Sequence, residues 1–277
     1  MTYSCMLSDQ QWKILKKHLP EQKYRPQGGR KPQCLRRIFN SISFILWTGA
    51  PWNALPKSDE FAPRSTSHRY LQKCAHDKNF EKIYSKILQL AKNKQKINFL
   101  TSSVDGSFIR GRNCSDRAEV GYKGYGNTLH LLVDGDGKPL TFRLTSANID
   151  EKKQVSPLVG KLQKWISRLP RKIEADRGYD AEWLRCRLAA KPFKMRVDIP
   201  YRSWDLERRG TYRREVLHED ATRWKVERTF AWIYKKYKRL ANRWERKLSN
   251  FQGLVFIALI KFWLDDFNKS INYINNS

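Results

Sequence analysis

The chain has 277 residues, of which 40% are hydrophobic and 13% aromatic; this excludes a disordered protein and suffices for one large domain and a small one. The chain has 55 Lys and Arg against 27 Asp and Glu, which gives a formal charge of +28. Repulsion among these positive charges destabilises the folded protein unless a polyanion binds to it. We therefore expect a nucleic acid partner. A membrane surface is the rival, but the basic residues are spread along the whole chain, which suits a long phosphate-binding groove better.

The cysteines and the apolar runs of the sequence argue against three further classes: zinc-knuckle, disulfide-stabilised and membrane-spanning proteins. The five cysteines are isolated and odd in number, which argues against a zinc knuckle or a disulfide framework and favours a reducing cytosol. The longest apolar run, at 253–264, contains Lys261 and is shorter than the roughly 20 residues of a membrane-spanning helix. We interpret it as a buried closing helix.

Helical spacing of apolar residues predicts three helices in the first part of the chain. The first follows Ser8, the second runs from about residue 35 to Gly49, and the third is RSTSHRYLQKCAHD. Small polar and basic side chains, Ser67, His68 and Arg69, lie at the start of the third helix. A helix-turn-helix reader meets base edges with the first turn of such a helix. A plain three-helix subdomain with a solvated basic face is an equally good interpretation.

From about residue 98 the apolar period changes to that of strands. Strands are predicted in INFLTSSVDGSF, GNTLHLLVDG, KPLTFRLTSA, RKIEAD and FKMRVDIPY, with helices in EKKQVSPLVGKLQKWISRL and AEWLRCRLAA. The turn DGDGKP joins the second and third strands as a hairpin. This order predicts an α/β unit with antiparallel strands first and a parallel crossover later.

A long helix is predicted over residues 220–247. Its apolar stripe consists of Val226, Phe230, Ile233, Tyr237, Leu240 and Trp244. Glu227 lies at the edge of this stripe, with Arg223 one turn earlier on the same side.

Three acidic residues are candidates for a shared site. Asp105 lies late in the first strand of the α/β part and Asp176 at the end of the fourth, so they converge if those strands are neighbours. Glu227 can supply a third carboxylate. Oxygen ligands without His or Cys suit Mg²⁺ or Mn²⁺, and a pair of such ions can drive an in-line displacement at phosphorus. Each acid also has a simpler interpretation: Asp105 as a turn residue, Asp176 as a helix cap, and Glu227 as a member of an ion pair on its own helix.

Long stretches of the chain resemble the transposases of the IS5 group of bacterial insertion sequences, within the DDE, RNase H-like family. The matching stretches are LSDQQWKILKKHLP, RRIFNSISFILWTGAPWNALP, SVDGSFIRG, GYGNTLHLLVDGDGKPLTFRLTSANIDEKKQV, EADRGYD and RWKVERTFAWIYKKYKRLANRWE. The resemblance implies an α/β fold: an RNase H-like core, with a mixed five-stranded sheet and flanking helices, behind an N-terminal all-α, helix-turn-helix-like domain. The implied domains are 1–95 for DNA binding, 96–250 for catalysis and 251–277 for a closing helix and tail.

The same resemblance implies site residues. Asp105, Asp176 and Glu227 correspond to the DDE triad, which binds two Mg²⁺ (or Mn²⁺) ions. Arg223 matches the Arg of the family's Tyr-Arg-Glu-Lys signature. The other two signature positions hold different residues here, Asp220 and Tyr234, and either of the next two side chains, Lys235 or Lys236, is a candidate replacement for the Lys.

Further residues are candidates for DNA contacts. Lys123, Arg177 and Lys238 are expected to contact phosphates. Trp204 and Tyr201 are candidates for base stacking, although simple packing is the favoured interpretation. His130 is expected to be a structural histidine.

The expected function is that of a cytoplasmic, nucleoid-associated bacterial DNA transposase with no membrane partner, acting as a homodimer or higher assembly on double-stranded DNA. It would bind the terminal inverted repeats, cleave strands with metal ions and transfer the 3′-hydroxyl into target DNA. The alternatives are a metal-dependent nuclease that does not join strands and a catalytically inactive DNA-binding protein.

Overall fold

The computed structural model describes residues 5–20, 31–201 and 224–275. Within these ranges the α-helices are α1 (Asp9–Lys16), α2 (Leu35–Thr48), α3 (Arg64–His76), α4 (Asn79–Asn93), α5 (Lys152–Ile166), α6 (Glu182–Ala189), α7 (Trp224–Lys236) and α8 (Leu248–Asn275). The strands are β1 (Thr101–Gly111), β2 (Glu119–Gly121), β3 (Gly124–Asp134), β4 (Pro139–Ser146), β5 (Lys172–Glu174), β6 (Arg196–Asp198) and β7 (Asn242–Arg243).

Two compact units divide the chain. The first comprises residues 1–87, 112–116 and 233–277, and the second comprises 88–111 and 117–232. Two of the four divisions fall inside α4 and α7, and the other two lie between β1 and β2. The predicted domain limits at residues 95 and 250 stay predictions, and the compact units divide the chain at other points.

The first unit is helical. Its three predicted N-terminal helices are confirmed as α1, α2 and α3, and α4 follows as a helix that was not predicted. Ser8 begins α1 in a capping box, accepting from the backbone N–H of Gln11 while the Gln11 side chain accepts from Ser8 N–H. Helix α3 packs against both α2 and α8, with Ile42, Leu71 and Leu254 fully buried in the core.

The closing helix α8 is largely buried. By length and composition, Leu248–Asn268 is long and apolar enough to cross a membrane, but 78% of that window is buried inside the protein. Core helices of folded domains pass the same test, so this stretch is weak evidence for a membrane span.

The second unit is built on a mixed sheet. Its main strands lie in the order β4-β3-β1-β5-β6, and β2 adds a short hairpin partner to β3. Strand β3 is antiparallel to both β1 and β4, whereas β5 is parallel to β1 and β6. Helix α5 packs on β3 and β4. The five predicted strands and their mixed order are confirmed, and the order is that of an RNase H-like core.

The helix predicted over 220–247 was too long at its C-terminal end. Helix α7 ends at Lys236, and Tyr237 leaves helical geometry with φ −116° and ψ 79°. A buried polar network accompanies this break in the helix: the fully buried guanidinium of Arg243 donates to the backbone carbonyls of Glu245 and Arg246. In a helix that ended at residue 247 these two carbonyls would lie in the last turn, without a donor from the helix itself.

Arg239 and Asp116 complete this network within the first unit. Arg239 Nε lies 2.9 Å from Glu245 Oε1, and the Arg243 guanidinium pairs with the Asp116 carboxylate. Buried charges of this kind are stable only when paired and hydrogen-bonded, which explains why the chain folds irregularly here.

Candidate active site

Asp105 and Asp176 lie level with each other at neighbouring strands. In the parallel pair of β1 and β5, Ser103 is opposite Glu174, and each aspartate follows two residues later. Asp105 is still within β1, and Asp176 comes directly after β5 and Ala175. The first and fourth predicted strands are therefore neighbours, which is the condition under which the sequence places the two aspartates close together. The carboxyl ends of parallel strands are where such sheets place ligand-binding groups.

Local backbone contacts orient both aspartates. Asp105 Oδ1 accepts from the N–H of Gly106 at 2.7 Å. Asp176 Oδ1 accepts from the N–H of Gly178 at 2.8 Å and caps the 3-10 turn Arg177–Tyr179. Asp176 is thus a cap, which is one of the roles that the sequence allowed for it. It also comes just after β5, where the proposed site needs a carboxylate.

Glu227 lies in the first turn of α7 and is exposed. The negative charge of Glu227 acts electrostatically on Asp105, and so do the charges of Asp176 and Glu151. The pKa of Asp105 is raised to about 6, chiefly by burial and further by these three charges, against a hydrogen bond from Gly106 that lowers it. The structure therefore brings the carboxylates of Asp176, Glu151 and Glu227 within electrostatic reach of Asp105.

Glu151 is the residue that sequence reasoning missed. It directly precedes α5, and its Oε2 accepts a hydrogen bond of 3.1 Å from the hydroxyl of the buried Tyr179. The carboxylate lies so close to Gly106 that a Cβ there would be 2.7 Å from Oε2. A glycine directly after Asp105 therefore makes room for Glu151. The signal in the sequence was an acid just after the predicted third strand.

The donor set fits a hard divalent cation in chemistry, because it offers carboxylate oxygens whose mutual repulsion a cation would relieve. In the described part of the chain, no group of three or more His, Cys, Asp or Glu side chains is placed to hold one ion. The coordination geometry is thus not defined by these side-chain positions.

His130 is fully buried on β3, opposite Gly106. Its Nε2 lies 2.8 Å from Thr145 Oγ1, whereas Nδ1 has no hydrogen-bond partner. Burial, aided by the charge of Arg143, lowers the pKa of His130 to about 4. A neutral, enclosed imidazole agrees with the structural role expected for it.

The predicted phosphate contacts lie at different places in the two units. Lys123 is exposed at the turn between β2 and β3, and Arg177 is exposed directly after Asp176. In the first unit, Lys235 and Lys238 are exposed, whereas Lys236 forms an ion pair with Asp265 at 2.6 Å.

The start of α3 presents its predicted DNA contacts unequally. Ser67 is fully buried, and its hydroxyl lies within hydrogen-bond distance of the Pro63 carbonyl at 3.2 Å, so it faces the protein. The ring of His68 meets Trp52 edge to face at 5.0 Å. Arg69 is exposed and donates from Nε to the Ser65 carbonyl.

Two candidates, Arg223 and Trp204, lie outside the described residues, as does the signature position Asp220. Tyr201 is described, and the guanidinium of Arg185 lies 4.0 Å from its ring centroid. A cation–π contact of this kind supports the packing interpretation of Tyr201.

An acidic residue within β1 and another just after the neighbouring β5 of an RNase H-like sheet define a class of proteins with a carboxylate site. Residues 100–263 match the family "Transposase DDE domain", and the chain belongs to that family. Residues 7–84 also match the family "Putative transposase of IS4/5 family". These matches confirm the resemblance to insertion-sequence DDE transposases. DDE transposase domains use divalent metal ions.

Curated relatives carry the same description. The chain is 34% identical over 143 residues to the "Putative transposase for insertion sequence element IS402" of Burkholderia cepacia, covering 50% of this chain and 60% of the relative. It is 29% identical over 144 residues to the corresponding protein of element IS6501 of Brucella ovis, covering 49% of this chain and 96% of that relative. The chain thus spans under two thirds of the length of the first of these relatives.

Among solved structures, the catalytic domain of Mos1 mariner transposase is similar, with a TM-score of 0.28 and 12% identity, covering 72% of this chain and 93% of that one. A Mos1 paired-end complex with the left transposon end matches with a TM-score of 0.28 and 13% identity, over 85% of this chain and 79% of that one. Scores this low do not define a shared fold, which rests on the strand order of the sheet.

Proposed function

We propose that the protein is a DNA transposase that binds the terminal inverted repeats of its insertion sequence, cleaves DNA strands and joins the freed 3′-hydroxyl to target DNA. The observation that carries this proposal is the placement of Asp105 on β1 level with Asp176 just after the neighbouring parallel strand β5, with Glu227 in electrostatic reach of Asp105. Membership of the DDE transposase family and the charge of +28 support it.

Asp105, Asp176 and Glu227 would hold two Mg²⁺ or Mn²⁺ ions. Such ions activate a water or a 3′-hydroxyl and stabilise the leaving oxygen in an in-line displacement. The role of the chain is to present deprotonated carboxylates at fixed positions. Burial and neighbouring acids raise the pKa of Asp105, so a proton competes for this carboxylate near pH 6.

DNA contacts are proposed for both units. Arg177 follows Asp176 directly and Lys123 is exposed, so both suit phosphate contacts in the second unit. In the first unit, Arg69 and the exposed Lys235 and Lys238 suit the same role. His68 and Arg223 stay candidates. Ser67 does not enter the proposal, because its hydroxyl faces inward.

The assembly follows from the reaction. Two element ends must be paired and joined, so we propose at least a homodimer on double-stranded DNA, in the bacterial cytoplasm at the nucleoid. Residues 1–95 would supply helix-turn-helix-like end recognition, 96–250 catalysis, and 251–277 the closing helix and tail.

A strand-joining assay tests this function. The purified protein is incubated with Mg²⁺ and linear DNA that carries the sequences flanking its gene, beside Asp176→Asn and a chelator control. We expect metal-dependent cuts at the element ends and joined products, both absent in the variant. Cuts without joined strands would establish the nuclease alternative. DNA binding without any cleavage would favour the inactive DNA-binding alternative.

A further inference from the structure

The hairpin turn between β3 and β4 is organised by one buried acid. Asp134 is fully buried, and its Oδ1 accepts from the N–H groups of Asp136 at 2.9 Å and Lys138 at 2.8 Å. Its Oδ2 accepts from the N–H of Asn98 at 2.9 Å. These three hydrogen bonds hold the turn in one conformation, which leaves the carbonyls of residues 135–137 to accept from elsewhere.

Three side chains of α7 donate to these three consecutive carbonyls. Lys225 Nζ donates to Gly135, Arg228 Nη2 to Asp136 at 2.9 Å, and Thr229 Oγ1 to Gly137 at 2.6 Å. We call residues 135–137 together with these three side chains the helix dock.

The dock is built to close tolerance. Gly137 has φ +85°, which favours glycine, and a Cβ there would lie 3.2 Å from Arg228 Nη2 and from the Lys225 carbonyl. Thr229 is 5% exposed, and its hydroxyl also lies 2.8 Å from the Lys225 carbonyl of its own helix. A side chain at this position would therefore force the Arg228 guanidinium and the first turn of α7 to shift by a few tenths of an ångström.

We propose that the helix dock positions Glu227 for catalysis, which makes Lys225, Arg228 and Thr229 positioning residues. Glu227 lies between them in sequence, and one residue of helix advances about 1.5 Å and turns about 100°. Anchors on both sides therefore fix the height of Glu227 along the helix and the direction of its Cα–Cβ bond, from which the carboxylate extends. This inference rests on the proposed role of Glu227 in DNA cleavage. A displacement of about 1 Å at such a site can cost about 100-fold in rate.

Thr229 gives the sharpest test, because it is buried and acts on DNA only through the helix. Thr229→Val removes the hydroxyl at nearly constant shape, and Thr229→Ser keeps it. The matched control is Thr141→Val: Thr141 is also fully buried, and its hydroxyl donates to the Leu158 carbonyl of α5 at 3.2 Å, away from α7. Thr229→Ala and Thr141→Ala form a second pair that serves if either valine variant does not fold.

The readouts are single-turnover cleavage rate, DNA affinity and melting temperature, all at a temperature far below every melting point. We expect Thr229→Val to lower the cleavage rate at least tenfold at unchanged DNA affinity and Thr229→Ser to restore it. Thr141→Val is expected to lower the melting temperature similarly and to keep the wild-type rate. Equal rates for Thr229→Val and Thr141→Val would overturn the inference.

Glu227→Gln in the same assay separates this inference from the proposed function. An inactive Glu227→Gln beside a fully active Thr229→Val refutes the dock alone. A fully active Glu227→Gln refutes the catalytic role of Glu227 and the dock's purpose with it.

Discussion

Buried His130 makes protein stability depend on pH in a way that can be calculated. Its pKa falls from 6.5 to about 4 on folding because burial disfavours the charged imidazole. Below pH 6.5 the imidazole of His130 is protonated in the unfolded chain, whereas in the folded protein it stays neutral down to about pH 4. The contribution of neutral His130 to the free energy of unfolding is therefore fully present above pH 6.5 and is lost as the pH falls toward 4. At about 1.4 kcal/mol per pH unit, this loss amounts to about 3 kcal/mol.

The assay is urea unfolding of wild type and His130→Gln at several values between pH 7.5 and about pH 4. Glutamine does not titrate, so the variant should lack about 3 kcal/mol of the acid-induced loss, whatever its stability at neutral pH. Asp105 and Asp134, whose pKa values are both raised to about 6, stabilise the fold toward low pH, but they do so equally in both proteins. Parallel stability profiles for the two proteins would refute the reasoning.

Two further predictions concern the acids of each unit. Tyr179→Phe removes the hydroxyl that donates to Glu151 Oε2, so it should slow cleavage in single-turnover kinetics while DNA affinity stays unchanged. An unchanged cleavage rate would show that the position of Glu151 does not matter for the reaction. Asp116→Ala removes the carboxylate that pairs with the buried Arg243 guanidinium; because that carboxylate is half exposed and screened by solvent, the free energy of unfolding should fall by about 2 kcal/mol, measured by urea titration. A loss below about 1 kcal/mol would mean that the remaining carbonyl acceptors suffice.

Local patterns predicted much of the fold. Alternation and the DGDGKP turn located the five main strands, and their order brought Asp105 and Asp176 to neighbouring strands. This worked because strand period and turn chemistry are local properties of the chain. The sequence also predicted the parallel crossover through α5, whereas the pairing of β1 with β5 entered only as a condition.

The rest depended on contacts between residues far apart in sequence. The apolar stripe after Lys236 predicted more helix, but the chain leaves helical geometry at Tyr237, and the buried Arg243 pairs with Asp116 from a distant segment. Glu151 escaped notice because its place in the site depends on Gly106 and Tyr179, which come from two other segments. The inward hydroxyl of Ser67 likewise depends on packing that helical period alone does not specify.

The most direct test of the central claim compares Asp105→Asn, Asp176→Asn and Glu227→Gln, singly and combined, for single-turnover cleavage and for DNA binding. If the three acids form one metal-dependent site, each single variant should lose at least about 1,000-fold in rate, and the combined variant should lose little more. DNA affinity should not fall in any of them. Cleavage at the wild-type rate by any one of the single variants would contradict the account.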